Sequence, residues 1–311
     1  MNDEIILHQY WQSPFTEKVR LVLGMKQLTW RSVEQPTIMP KPELTPLTGG
    51  YRRIPVMQIG ADIYCDSQVI LQELERRHPG PEGAAGGLHT AIGLWTDQIF
   101  FGPSVTLIFS ELGGRGTIDE AFKKDREALS GRPFDPEAMK AAVPTMREQW
   151  RAFCSFIEEQ LASHGDFIHG EVSVSDAHAY MNVWFVSKFV PDIANGLLQE
   201  FPLVRSWAER VAGIGYGTHS EMNRSDAIAV AKSAEPATPE QADANDPDGL
   251  KPGMEVAVAA IDYGRDPIAG VLVASSARHV AIRRSDPAVG DVVVHFPRAG
   301  FTVTRVGVRR G

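Results

Sequence analysis

The sequence lacks the features that mark secreted or membrane proteins. Only two cysteines, Cys65 and Cys154, occur among 311 residues, which is too few for a disulfide framework. No stretch approaches the roughly 18 consecutive apolar residues of a membrane-spanning helix. The opening residues, MNDEII, are acidic and do not resemble a signal peptide. These absences predict a cytoplasmic protein in a reducing compartment, with no membrane contact.

Two common kinds of ligand site are also missing. The nine histidines show no His-x-x-x-His spacing for a metal ion, and no glycine-rich phosphate loop occurs. The Arg283–Arg284 pair has no aromatic platform beside it on which bases could stack, so it is interpreted as a solvated basic surface. We therefore expect no metal, no resident cofactor and no nucleic-acid partner.

Charge and composition divide the chain. Residues 249–311 contain nine Lys/Arg and five Asp/Glu, a net charge of +4, although the whole chain carries −8. Residues 236–252 are rich in proline, alanine and acids and have no apolar periodicity, which predicts a linker. A length of 311 residues suits two or three domains. The two differently charged parts are expected to have different partners.

Residues 4–80 predict a mixed α/β domain. Alternating residues indicate strands, and apolar residues spaced three and four apart indicate helices. The predicted elements are a strand at 4–10, a helix at 14–26, a strand at 29–34, a hairpin at 54–59 and 62–65, and a helix at 67–77. The proline-rich stretch before the hairpin is predicted to be a loop.

The next part of the chain predicts long helices, and the last part short strands. A Ser-x-x-Asp capping box at Ser173–Asp176 predicts the start of one helix. Residues 112–133 are interpreted as an extended connection that overhangs a pocket. Five β-branched runs, at 255–261, 268–274, 279–283, 291–296 and 301–306, predict a small all-β barrel of the SH3-like or OB-like kind.

The order of the N-terminal motifs resembles the cytosolic glutathione transferase family. The motifs are SPFTEKVR at 13–20, RIPV at 53–56 and the Asp66-Ser67 pair before a helix, followed by an all-helical half. The resemblance covers residues 4–235. It implies a thioredoxin-like glutathione-binding domain at 1–80 and an all-helical domain with an acceptor pocket at 88–235. The linker at 236–252 and the β-barrel domain at 253–311 lie outside it.

The resemblance also implies a set of glutathione-binding residues. Asp66 and Ser67 would bind the γ-glutamyl end of glutathione. The Ile54–Pro55 bond would be cis, with the backbone there pairing with the cysteinyl part, and Arg53 would be a further contact. Trp11 would reach the acceptor pocket, because it precedes Ser13 in the loop after the first strand. Physical chemistry supports the assignment of Ser67 to the γ-glutamyl end, because the start of a helix offers free N–H groups to a carboxylate.

Ser13 occupies the thiol-activating position of the serine-type classes. A free thiol has a pKa of about 8.5, so a hydroxyl donor and a helix N-terminus would both favour the reactive thiolate. The alternative role for Ser13 is that of a plain helix cap. Tyr10 is a second candidate, although on a strand it would point to the opposite face from the tyrosine of other classes. A serine here cannot form the mixed disulfide of the cysteine-type classes.

The resulting prediction is an enzyme. Glutathione would be a co-substrate whose thiolate attacks an electrophilic small molecule, and the protein would form homodimers through its third and fourth helices. The alternative is a non-catalytic binding or adaptor protein of the same fold, with the barrel as interaction module. In either case the barrel is expected to fold independently and to be dispensable for the site, since no predicted site residue lies beyond Ser67.

Overall fold

The N-terminal domain has the predicted order of strands and helices. In the computed structural model, which describes residues 4–80 and 86–307, the first strand β1 pairs in parallel with β2 and antiparallel with β3. A tight turn at Gly60, whose φ is 59°, joins β3 to β4. The elements are β1 (Ile5–Gln9), α1 (Pro14–Met25), β2 (Thr29–Glu34), α2 (Thr45–Thr48), β3 (Val56–Ile59), β4 (Asp62–Cys65) and α3 (Ser67–Arg77).

The following part is mostly helical, as predicted. Its buried side chains, among them Trp150 and Trp207, form one apolar cluster with α1 and α3. The elements are α4 (Gly87–Trp95), a π-helical turn (Thr96–Phe100), α5 (Phe101–Gly114), α6 (Glu120–Ser130), α7 (Pro136–His164), α8 (Val174–Phe189), α9 (Pro191–Leu198), α10 (Pro202–Gly213), β5 (Thr218–Glu221) and α11 (Arg224–Lys232). Among the helices of residues 4–80 and 86–307, none combines the length and the apolar character that crossing a membrane requires.

Two features of this helical part bear on the predictions. The capping box is confirmed, since the backbone N–H of Ser173 donates to Asp176 over 2.8 Å at the start of α8. The extended connection predicted at 112–133 is wrong, because α6 forms there. Asp119 caps that helix by accepting from the N–H of Phe122, and Gly131 ends it in a left-handed conformation.

The five predicted C-terminal strands are confirmed, and they continue the N-terminal sheet. They pair antiparallel in the order β10-β6-β7-β8-β9, and β9 then pairs in parallel with β4. The full sheet order is β10-β6-β7-β8-β9-β4-β3-β1-β2-β5. The strands are β6 (Glu255–Ala260), β7 (Ile268–Ser275), β8 (His279–Asp286), β9 (Gly290–Pro297) and β10 (Phe301–Arg305). Their assignment to an SH3-like or OB-like barrel stays a prediction.

The expectation that these strands fold independently is wrong, because they share a buried core with the N-terminal domain. Ile54 and Ile63 of the N-terminal domain belong to one buried cluster with Val256 and Val294 of the C-terminal strands. A polar contact crosses the same seam, where Asp62 lies 3.1 Å from Nε2 of the buried His295. The physical reason is the exposed edge of β4, whose free backbone groups are satisfied by β9.

The segment at 236–252 is docked onto this seam. The N–H of Ala237 and the hydroxyl of Thr238 donate to the Asp62 carboxylate over 2.8 and 2.7 Å. Gln241 exchanges backbone hydrogen bonds with Val273 and Ser275 of β7. These contacts hold the segment against the sheet between the helical part and β6.

Candidate functional site

A cleft lies where the N-terminal domain, the helical part and the C-terminal strands meet. The structure brings together on its walls the five residues predicted to bind glutathione: Arg53, Ile54, Pro55, Asp66 and Ser67. Asp97 of the π-helical turn and residues of two C-terminal loops complete the walls. The site is therefore built from three separate parts of the chain.

The start of α3 forms part of the cleft wall. Asp66 caps the helix with a positive φ of 93°, and its carboxylate accepts from the N–H of Gln68 over 2.9 Å. Ser67, 4% exposed, is the first helical residue. Free N–H groups and the helix dipole make this end favourable for a carboxylate. Burial raises the pKa of Asp66, and the nearby Arg53 and Lys18 charges oppose that rise.

The bend before β3 forms the adjacent wall. The Ile54–Pro55 peptide bond is cis, as the family resemblance implies. Ile54 is 7% exposed and packs into the core shared with the C-terminal strands. This bend therefore connects the cleft directly to the seam between the two halves of the sheet.

Arg53 is held by residues that the sequence did not predict to belong to the site. Its guanidinium donates to the Asp262 carboxylate, and the ring centre of Tyr263 lies 3.8 Å from the guanidinium carbon. Both residues lie in the loop between β6 and β7, here called the β6–β7 loop (residues 261–267), and both line the cleft. The expectation that no site residue lies beyond Ser67 is therefore wrong, because the joined sheet places this loop over Arg53.

A buried ion pair between α1 and the π-helical turn, which the sequence did not predict, lies on the helical side of the cleft. Nζ of Lys18, which is fully buried on α1, donates to both oxygens of the Asp97 carboxylate over 2.8 Å. Burial raises the pKa of Asp97, and the Lys18 charge opposes that rise. The position of Lys18, three residues after Phe15 and four before Val22 on the apolar face of α1, is a sequence signal that could have identified it.

Ser13 has the geometry of a helix cap. Its side-chain oxygen accepts from the N–H of Thr16 over 3.2 Å at the start of α1, and only 2% of the residue is exposed. Within residues 4–80 and 86–307, no group accepts a hydrogen bond from its hydroxyl. Ser13 is not part of the cleft wall, whereas Phe15 two residues later is. Capping thus occupies the oxygen of Ser13 but does not use its proton.

Trp11 and Tyr10 lie outside the cleft wall. The Trp11 ring packs against Tyr216 and His219, with ring centres 6.3 and 5.5 Å away. Tyr10 packs against the cluster shared with the C-terminal strands. The structure therefore does not bring Trp11 together with the other predicted site residues.

The two cysteines are structural. Cys65 and Cys154 are both fully buried, and burial raises the pKa of each thiol well above its ordinary value. A thiol in this environment is a poor nucleophile.

Comparison with known proteins agrees with this geometry. A family model for the glutathione S-transferase N-terminal domain matches residues 7–82, and a model for a domain of unknown function matches residues 115–216. The crystal structure of a GST-like protein from Pseudomonas syringae is 36% identical, with a TM-score of 0.80. That match covers 97% of this chain and 99% of the other. This chain belongs to the glutathione S-transferase family.

More distant members of the family align with parts of the chain. Glutathione S-transferase U4 of Arabidopsis thaliana is 27% identical over 74 residues, which is 24% of this chain and 33% of that protein. The chain thus spans about a third of this curated relative. A glutathione S-transferase from Rhodospirillum rubrum F11 is 17% identical, with a TM-score of 0.51 over 67% of this chain and 87% of that one, which reflects the shared fold alone.

Proposed function

We propose that this glutathione S-transferase family protein binds glutathione in the cleft and conjugates its thiolate to an electrophilic small molecule. The observation that carries the proposal is the convergence of Arg53, the cis Ile54–Pro55 bend, Asp66 and Ser67 on one cleft. The first and last of these features suit a carboxylate, and the bend lies on the same cleft wall.

The charges of the cleft fit the charges of glutathione. At neutral pH glutathione carries two carboxylates and one ammonium group. Arg53 and the start of α3 would receive carboxylates, since an arginine fork and free helix N–H groups both bind them. Asp66 and Asp97 would receive the ammonium, because both carboxyls line the cleft and each has a cation nearby that opposes the rise of its pKa on burial.

Chemistry would start from the thiolate. The hydroxyl proton of Ser13 and the positive end of α1, which lie next to the cleft-lining Phe15 in the chain, are suited to stabilise a sulfur anion. Glutathione is consumed in the reaction, so it is a co-substrate. The proposed acceptor is an electrophilic small molecule that meets the thiolate beside Phe15 at the mouth of the cleft.

Glutathione binding is expected to depend on Asp66 and Ser67. Asp66→Asn and Ser67→Ala each remove a partner of a charged group, an interaction typically worth about 1.5 to 3 kcal/mol. Each variant should therefore raise the dissociation constant at least about tenfold in calorimetric titration. Asp119→Asn is the matched control, because Asp119 also caps a helix but lies at α6 and outside the cleft wall. Unchanged affinity in both site variants would rule out this cleft as the glutathione site.

A non-catalytic binding protein is the second candidate. It is favoured by the contact of Asp262 and Tyr263 with Arg53, which shows the cleft already partly filled by the chain itself. An aryl halide assay separates the two functions. Tight glutathione binding without product formation over a panel of electrophiles would favour the binding protein, with the C-terminal strands as its interaction module.

We also propose a homodimer, formed through an exposed apolar stripe, here called the α4 stripe (Leu88, Trp95, Ile99 and Phe156). Leu88, Ile99 and Phe156 are each more than half exposed, and Trp95 contacts Phe156 with ring centres 6.3 Å apart. Exposed apolar residues grouped on one face favour association, and a second copy can offer the same stripe.

Charge in the α4 stripe is expected to produce monomers. The double variant Ile99→Asp, Phe156→Asp would place two carboxylates in an apolar interface, which is strongly unfavourable. Size-exclusion chromatography with light scattering should give the mass of a dimer for the wild type and of a monomer for this variant. Leu203→Asp on α10, where Leu203 is 39% exposed, should remain dimeric. A monomeric wild type at micromolar concentration would contradict the proposed interface.

A further inference from the structure

The β6–β7 loop lies over the candidate glutathione cleft and holds its arginine. We infer that this loop is a gate, in which the Asp262 carboxylate occupies Arg53 in place of a ligand carboxylate and is displaced when the ligand binds. The inference rests on the proposed glutathione site, and it adds a competitor for that site which is built into the chain.

Arg53 has the properties of a carboxylate receptor. Its side chain is only 10% exposed, it lines the cleft, and its guanidinium donates to Asp262. Its Nε–H is buried and has no hydrogen-bond partner among the described residues. An arginine fork binds one carboxylate through two parallel hydrogen bonds. Asp262 therefore occupies one edge of the guanidinium, while the hydrogen-bonding capacity of Nε–H is unused. A ligand carboxylate could use that capacity.

Asp262 has the properties of an exchangeable partner. It is 37% exposed in its pair with Arg53, so water already reaches it and a released carboxylate would be hydrated at once. Water and salt screen the solvent-exposed end of an ion pair and weaken it. An internal carboxylate held this weakly can be displaced by a ligand that makes further contacts at Asp66 and Ser67.

The loop is attached in a way that permits release. Along residues 261–267 no residue is buried, and the first buried residue after the loop is Ile268. The loop is held by the Tyr263 ring on the guanidinium and by the N–H of Gly264, which donates to the carbonyl of Leu129 on α6 over 2.7 Å. At the start of the loop, the N–H of Ile261 donates to the carbonyl of Gly300 over 3.0 Å. Moving it would carry no buried residue of the loop into solvent.

Gly264 shows that the closed position is built for close contact. Its φ is 57°, and a Cβ at this position would lie 3.1 Å from the Leu129 side chain and 3.2 Å from Nε of Arg53. A side chain here would crowd both neighbours and would be strained at this positive φ. Glycine allows both the turn and the approach.

The test uses the full chain and two loop variants. Asp262→Asn removes the competing charge and should bind glutathione about fivefold more tightly than the wild type, the factor that corresponds to an exposed ion pair. Asp266→Asn removes the same charge from an exposed position of the same loop outside the cleft wall, and its dissociation constant should equal that of the wild type. Glutathione diethyl ester, which has no free carboxylate, should gain nothing from Asp262→Asn.

The outcomes separate this inference from the proposed function. If the wild type binds glutathione and Asp262→Asn binds it equally or more weakly, the loop is a fixed wall and the gate is overturned. An equal gain for the diethyl ester would also overturn it, because the competition would not involve a carboxylate. If neither the wild type nor Asp262→Asn binds glutathione, the proposed function itself fails, and the gate fails with it. Binding by Asp262→Asn alone supports both.

Discussion

A chain cut after Ala242 is expected to be insoluble or unfolded. The cut removes β6 to β10 and leaves the edge of β4 unpaired. It also uncovers Ile54, Val56 and Ile63, which are 7%, 0% and 0% exposed and pack against the C-terminal strands. Burial of one such side chain is worth about 1.5 to 3 kcal/mol, so the loss is roughly 5 kcal/mol or more. That is comparable with the entire stability of many domains.

Two further variants test whether loss of the β4–β9 seam causes the instability. A chain ending at Gly307 keeps every described strand and should match the full protein in soluble yield and melting temperature. Val294→Asp, which places a carboxylate at a fully buried position paired with Ile63, should lower the melting temperature as a single substitution. A truncated protein that stays soluble and melts cooperatively would show that the two halves of the sheet are independent, as the linker-like composition suggested.

The fold could be predicted where the signal is local. The strand β4 and the helix α3 have the predicted bounds, because alternation and helical spacing are properties of neighbouring residues. The pairing of β4 with β9 joins residues about 230 positions apart and leaves no trace in either pattern. The strand β5, with four exposed residues and no alternation, was missed because its pairing with β2 defines it.

The site residues could likewise be predicted only where local sequence positions them. Asp66 and Ser67 could be assigned by motif because the start of α3 positions them, and the cleft does form there. Asp262 and Tyr263 could not, since they reach Arg53 only through the long-range sheet. Trp11 was predicted from its place in the chain just before Ser13. The turn after β1 instead directs its ring toward Tyr216 and His219.

The sequence around Ser13 predicts two roles for this residue, thiolate stabilisation and helix capping. The pH dependence of kcat/KM distinguishes them. If its hydroxyl stabilises the thiolate of bound glutathione, Ser13→Ala should return the thiol toward its free pKa of about 8.5. A lowered pKa keeps the thiolate populated below pH 8.5, so its benefit is present at neutral pH and disappears as the pH rises through that value. At pH 6.5 the variant's kcat/KM should fall about 10- to 100-fold, and the difference should nearly vanish near pH 9.

Three substitutions at this position distinguish thiolate stabilisation from capping. Replacing a cap by alanine costs about 1 kcal/mol of stability, but replacement by glycine costs only a few tenths. Ser13→Gly should therefore melt close to the wild type while sharing the shifted pH profile of Ser13→Ala, because neither can donate to sulfur. Ser13→Thr keeps the hydroxyl and should keep the wild-type profile. If all three variants retained the wild-type profile, Ser13 would be a cap alone, and Tyr10 would be the next residue to test.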